Sequence, residues 1–158
     1  MPDEKDIIKL LDKGNLDGAF DLVDEMKDKK SMAVLLSDYA AIIARHYGLH
    51  GIVERLLKKA VELDPNSAGI HFNLGVLYTE PEVVIEDEKK IALAEEHYLR
   101  AIELDSGNLK AHYNLGLLYA YTGRAEEARE QYAKVLELDP DNIDKYDVLD
   151  GLISQVDV

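Results

Sequence analysis

The stretch HFNLGVLY, His71 to Tyr78, returns downstream as HYNLGLLY, His112 to Tyr119, with six of its eight places identical. Within each copy Leu74, Leu77 and Tyr78, or Leu115, Leu118 and Tyr119, fall at i, i+3, i+4 spacing, which puts them on one face of a helix. A second motif flanks the first: LKKAVELDPN (Leu57 to Asn66) recurs as YLRAIELDSGN and YAKVLELDPDN. Two helical motifs that alternate and repeat mean that the fold is an array of one supersecondary unit, so the period must be fixed before any local pattern is read.

Ala94 aligned with Ala128, and Gly14 with Gly48, gives a step of 34 residues, whereas Tyr78 to Tyr119 and Ala60 to Ala101 give 41. The basic period is 34, lengthened once by seven residues between Thr79 and Ala94. Each unit reads as two antiparallel helices. Gly75, Gly116 and Ala41 stand where a first helix meets a second, Ala94 and Ala128 stand on the facing side, and small side chains there allow close approach. Gly48 and Gly123 end first helices, and Asp64-Pro65 and Asp139-Pro140 end second helices, since Pro offers no amide and restrains its predecessor.

The chain is therefore read as a single all-α domain over 1–158, with a divergent unit over 1–33 and further units over 34–67, 68–108 and 109–142. The tail 143–158 places Ile143, Tyr146, Leu149, Ile153 and Val156 along one stripe, as a helix capping the open end of a repeat stack would. The lengthened unit carries Val83, Val84 and Ile85 among acids within 79–93. They form either a contact patch or a local staple on the unit's own second helix.

Asn73, Leu74, Gly75 and Tyr78 in one unit, Asn114, Leu115, Gly116, Tyr119, Gly123, Ala128, Tyr132 and Pro140 in the next, and Gly48, Ala60 and Pro65 before them resemble the tetratricopeptide repeat (TPR) pattern. The resemblance covers nearly the whole chain. It implies a right-handed α-solenoid of stacked antiparallel helix pairs, a TPR superhelix, whose first helices line a concave groove that holds an extended or helical peptide of another protein.

Projected onto that arrangement, the groove is expected to carry Leu35, Tyr39, Ile42 and His46, then Phe72, Asn73, Val76 and Glu80, then Lys110, Tyr113, Asn114, Leu117 and Tyr121. Such a face is aromatic with amides, and less acidic than the outer one. Asn73 and Asn114 hold the same place in consecutive units, and an amide both donates to and accepts from a peptide backbone. A hydrogen bond nets about 0.5 to 1.5 kcal/mol where micromolar binding needs about 8, so Tyr39, Phe72, Tyr113 and Tyr121 are expected to supply most of the affinity. A branch of the family grips carboxylate-terminated chaperone tails with Lys, Asn and Arg from three first helices. Asn73 and Lys110 match it, whereas Asp38, Ile42 and Asn114 depart from it.

Charge and composition narrow the function further. The net charge is −14, and no window gathers Lys and Arg with aromatics, which argues against nucleic acid and anionic membranes and for a neutral or basic protein partner. Acid concentrates in 68–108, with three bases and nine acids, against four of each in 34–67. The absence of cysteine excludes disulfides, thiolate metal sites and a cysteine nucleophile, and the charge-interrupted start MPDEKDIIKLLDKG resembles neither a secretory signal nor a membrane span, so a cytoplasmic location is expected.

No metal site or cofactor is expected. His46 and His50 are separated by the turn at Gly48, His71 and His112 read as packing residues, and no second imidazole is expected near His97. No phosphate loop, serine elbow or nucleotide fingerprint occurs, so the reading is a non-catalytic interaction module or scaffold rather than an enzyme. The alternative is a self-associating subunit that forms a homodimer through the cap helix or the convex face.

Overall fold

The computed structural model describes residues 3–79 and 87–156, and every regular element among them is a helix. The chain divides into two compact units, Met1–Ile70 and His71–Val158. The stretch holding Val83, Val84 and Ile85, together with Glu80, lies outside the described residues.

The first unit holds α1 (Glu4–Asp12), α2 (Leu16–Glu25), α3 (Lys29–Tyr47) and α4 (His50–Leu63). Local chemistry sets where these helices start. Asp3 and Asp6 form a reciprocal capping box at α1, Asn15 accepts from the Gly18 amide at α2, and Asp28 accepts from the Ser31 amide at α3. Gly48 stops α3 at φ 58°, a left-handed conformation that only glycine adopts without strain. Ile7, Leu11, Ala19 and Val23 from the first hairpin and Met32, Ala33, Leu36, Leu56, Leu57 and Ala60 from the second form the core. On the outer side Lys59 reaches Asp24 at 2.7 Å and Arg55 pairs with Asp17, both over the Phe20 ring, so α4 is tied to α2.

One expected crossing residue is displaced. The buried stripe of α3 runs through Met32, Ala33, Leu36, Ser37 and Ala40, and Ala41, one position round the helix, is exposed. Ala40, not Ala41, belongs to that buried stripe.

The second unit takes in α5 (Ala68–Thr79) from His71 onward, then α6 (Glu88–Leu104), α7 (Leu109–Tyr121), α8 (Ala125–Leu138), a 3-10 turn (Pro140–Tyr146) and α9 (Asp147–Val156). Asp87 caps α6 by accepting from the amides of Lys89 and Lys90, and Asn108 caps α7. Part of the added length is helical: α6 starts six residues before Ala94, whereas α8 starts three before the equivalent Ala128. Gly75 and Gly116 make the expected close approaches. A methyl built on Gly75 would sit 2.5 Å from Cε1 of Tyr98, and one on Gly116 would sit 2.9 Å from a methyl of Leu149. Ala94 and Ala128 are fully buried.

The expected cap is present but begins later. Pro140 starts a 3-10 turn, and Asp139 accepts from the Tyr146 hydroxyl at 2.5 Å and from the Asn142 amide at 2.7 Å. The α-helix runs only from Asp147, packing against α7 and α8 with Leu149 and Ile153 buried. Ile143 falls in the turn and is exposed instead of joining the stripe.

Candidate functional site

The face expected to bind a ligand comes from the first helix of each hairpin, and each unit presents its own part. In the first unit, the Tyr39 hydroxyl donates to Oδ1 of Asp12 at 2.9 Å, which ties α3 to α1. Partial burial, reinforced by the Asp12 carboxylate, pushes this phenol up to about 12. Tyr39 lines a cavity of about 410 Å³ with Leu11, Asp12, Leu16, Ile43, Tyr47 and Leu49. Ile42 is 52% exposed, and Leu35 lines a second hollow with Val34, Asp38, Glu4 and Lys30.

In the second unit Asn114, Leu117, Leu118 and Tyr121 of α7 and Thr79 of α5 surround a cavity of about 180 Å³. Three of the residues singled out from sequence, Asn114, Leu117 and Tyr121, are thus brought together. Tyr113 packs its ring 5.5 Å from that of Tyr146, while burial and then the nearby Tyr121 raise its pKa. Phe72 lies 6.1 Å from the Tyr98 ring, Asn73 and Val76 are half-buried on α5, and Lys110 is exposed at the start of α7.

Tyr98 organises this region, and sequence reasoning passed over it. It is fully buried, its ring covers Gly75, and its hydroxyl is bonded to Thr79 Oγ1 at 2.7 Å and to the Asn114 side chain. Burial dominates these hydrogen bonds and pushes the phenol up to about 12. Asn114 therefore holds the preceding hairpin as well as facing the cavity. The available signal was the recurrence of Tyr98 as Tyr132, one period later.

A polar cluster closes the turn of the last hairpin. Glu95 of α6 accepts from the Tyr119 hydroxyl at 3.0 Å and pairs with Arg124 at 2.7 Å. Arg124 also reaches Glu127 at 3.0 Å and lies 4.2 Å from the Tyr119 ring centre.

The histidines differ from expectation. His71 and His112 are buried as packing residues should be, but His97 does have an imidazole beside it: its Nδ1 lies 3.0 Å from Nδ1 of His71. The pair forms across the α5–α6 hairpin, which is why spacing along one helix did not reveal it. Among the described residues no group of three or more His, Cys, Asp or Glu is placed to hold a metal ion, and no helix is long and apolar enough to cross a membrane.

Comparison with known proteins agrees with this architecture. Tetratricopeptide repeat profiles match residues 56–90 and 109–142, the second span covering α7, its turn and α8. The first TPR of Spaghetti (RPAP3), bound to HSP90 peptide SRMEEVD, superposes with a TM-score of 0.69 at 22% identity, covering 82% of this chain and 98% of that one. The first TPR domain of human RPAP3 gives 0.65 at 22% identity, covering 80% and 95%. MamA gives 0.61 at 25% identity, covering 99% and 90%. No curated protein matches the chain. The repeat matches and the helical-hairpin fold define the class: the chain carries tetratricopeptide repeats over residues 56–90 and 109–142 within an all-α fold.

Proposed function

We propose that the protein is a non-catalytic interaction module that binds a peptide segment of a partner protein along its first helices. The principal site on this reading lies in the second unit, on the face of α5 and α7, with Phe72, Asn73, Val76, Lys110, Tyr113, Asn114, Leu117 and Tyr121; in the first unit Tyr39 and Ile42 of α3 form a face of their own. The observation that carries it is the cavity beside Asn114, which combines an amide, two leucines and Tyr121, a tyrosine 50% exposed. Half-exposed aromatics next to an amide suit a peptide, because burial of the rings supplies affinity and the amide fixes the backbone.

The partner on this reading is neutral or basic, and the protein acts in the cytoplasm. The Spaghetti repeat carries an acidic HSP90 peptide, SRMEEVD. Here the net charge is −14, and Asp38, Ile42 and Asn114 replace the Lys, Asn and Arg that grip such a tail, so an acidic terminus meets repulsion. The test is capture of partners by the wild type and by Tyr113→Ala with Asn73→Ala. The reading expects specific partners to be lost from the variant, and unchanged capture of every partner overturns it.

A second reading has a specific observation behind it. Val148 is 59% exposed and Ile143 49% exposed at the cap, an apolar pair that suits a homodimer contact. Light scattering separates the two readings, since a concentration-independent monomer removes the second.

A further inference from the structure

The two equivalent hairpins of the second unit solve one packing problem with different chemistry. In the fourth repeat, Nδ1 of His112 lies 2.8 Å from Oε1 of Gln131 and its Nε2 lies 3.1 Å from the Ser106 carbonyl oxygen. In the third, His71 takes the place of His112, and the residue 34 positions before Gln131 is His97. Its Nδ1 stands 3.0 Å from that of His71, with the ring centres 5.3 Å apart. An amide supplies either a donor or an acceptor to an imidazole at any pH, and so the His112–Gln131 contact survives protonation of the ring. Two imidazoles do not share that property.

An Nδ1 to Nδ1 hydrogen bond needs one nitrogen with a hydrogen and one with a free lone pair. It therefore exists when the pair is neutral or carries one extra proton, and is lost when both rings are imidazolium. We propose that the His71–His97 contact is a proton-operated clamp between α5 and α6, closed while the two Nδ1 atoms share one hydrogen and released when both rings are charged. Release puts two positive charges side by side in a place where His71 is only 8% exposed. Two neighbours of the pair bear on its charge. From α5 come His71 and Tyr78, whose ring stacks on His97 at 5.9 Å. From α6 itself comes Glu96, which favours the proton but is outweighed by burial and by His71, so that the His97 pKa lies below its ordinary value.

α5 also carries Phe72, Asn73 and Val76. If the peptide-binding reading above holds, acidification loosens one of the two helices of the principal ligand face. That consequence rests on the reading; the clamp does not, and it is tested in the free protein.

The experiment is a titration from about pH 7.5 to about pH 5, in buffer stripped of divalent metal, following imidazole and backbone resonances of the wild type and of His97→Gln. His97→Gln installs the pair already present in the fourth repeat, so it is expected to fold. In the wild type, the resonances of α5 around His71 shift together with those of His97. In His97→Gln the α5 response disappears. A wild type in which His71 and His97 titrate independently with α5 unmoved overturns the clamp, and so does an α5 response that persists in His97→Gln.

Discussion

The ring of Tyr98 on α6 packs against Gly75 of α5, and a single added methyl on that glycine would come within 2.5 Å of the ring. The ring is itself fixed, since Tyr98 is fully buried and its hydroxyl is bonded to Thr79. Gly75→Ala therefore gains about 1 kcal/mol of helix propensity but loses more through overpacking, which typically costs about 1 to 3 kcal/mol. Gly116 offers a contrast, because its nearest neighbour is the methyl end of Leu149, which can rotate away. Denaturant midpoints are expected to fall clearly for Gly75→Ala and to stay within about 1 kcal/mol of wild type for Gly116→Ala.

Tyr98 also makes a prediction on the alkaline side. Its phenol is raised from 10.0 to about 12 in the folded protein, so the unfolded chain gives up this proton first. The stability linked to it is fully present below about pH 10 and is lost as the pH rises through about 12. Tyr98→Phe is expected to cost about 1 kcal/mol at neutral pH, through the lost hydrogen bonds to Thr79 and Asn114, and to remove the Tyr98 share of the alkaline limb while that of Tyr39 remains. Urea unfolding followed by circular dichroism across that range checks both effects.

Arg124 and Glu95 join the last hairpin to α6 through a 2.7 Å ion pair that is only partly exposed, with Glu95 also bonded to Tyr119. Their environment lies between a surface pair and a buried one. A double-mutant cycle with Glu95→Ala and Arg124→Ala is expected to give a coupling of about 1 kcal/mol, and salt is expected to reduce it only in part.

Asp87 is the first described residue after Thr79, and it receives the amides of Lys89 and Lys90 at 3.0 and 3.2 Å. Asp87→Ala is expected to cost about 1 kcal/mol. Hydrogen exchange should rise at the first turn of α6 and remain unchanged in α7.

The sequence disclosed those features that depend on neighbours along one helix or on the repeat period. Gly48 and Gly123 mark helix ends because a left-handed residue is needed there, and Gly75, Gly116, Ala94 and Ala128 mark close approach because a small residue lets the neighbouring side chains pack tightly against the helix. What stayed hidden depends on rotation or on partners across a hairpin. Ala41 and Ala40 differ by one step around α3, and Pro140 turns the chain so that Ile143 misses the cap stripe. His97 finds His71 only once α5 and α6 are folded against each other. Asn114 was legible as a facing amide but not as the partner of Tyr98, since that contact joins different hairpins.

The central claim is that the first helices, not the second, meet the partner. Site-specific photo-crosslinking tests it most directly, with the probe placed either at Tyr113 on α7 or at Glu130, an exposed position on α8. The account predicts a crosslinked partner from Tyr113 and none from Glu130. Crosslinking from Glu130 with none from Tyr113 would contradict it.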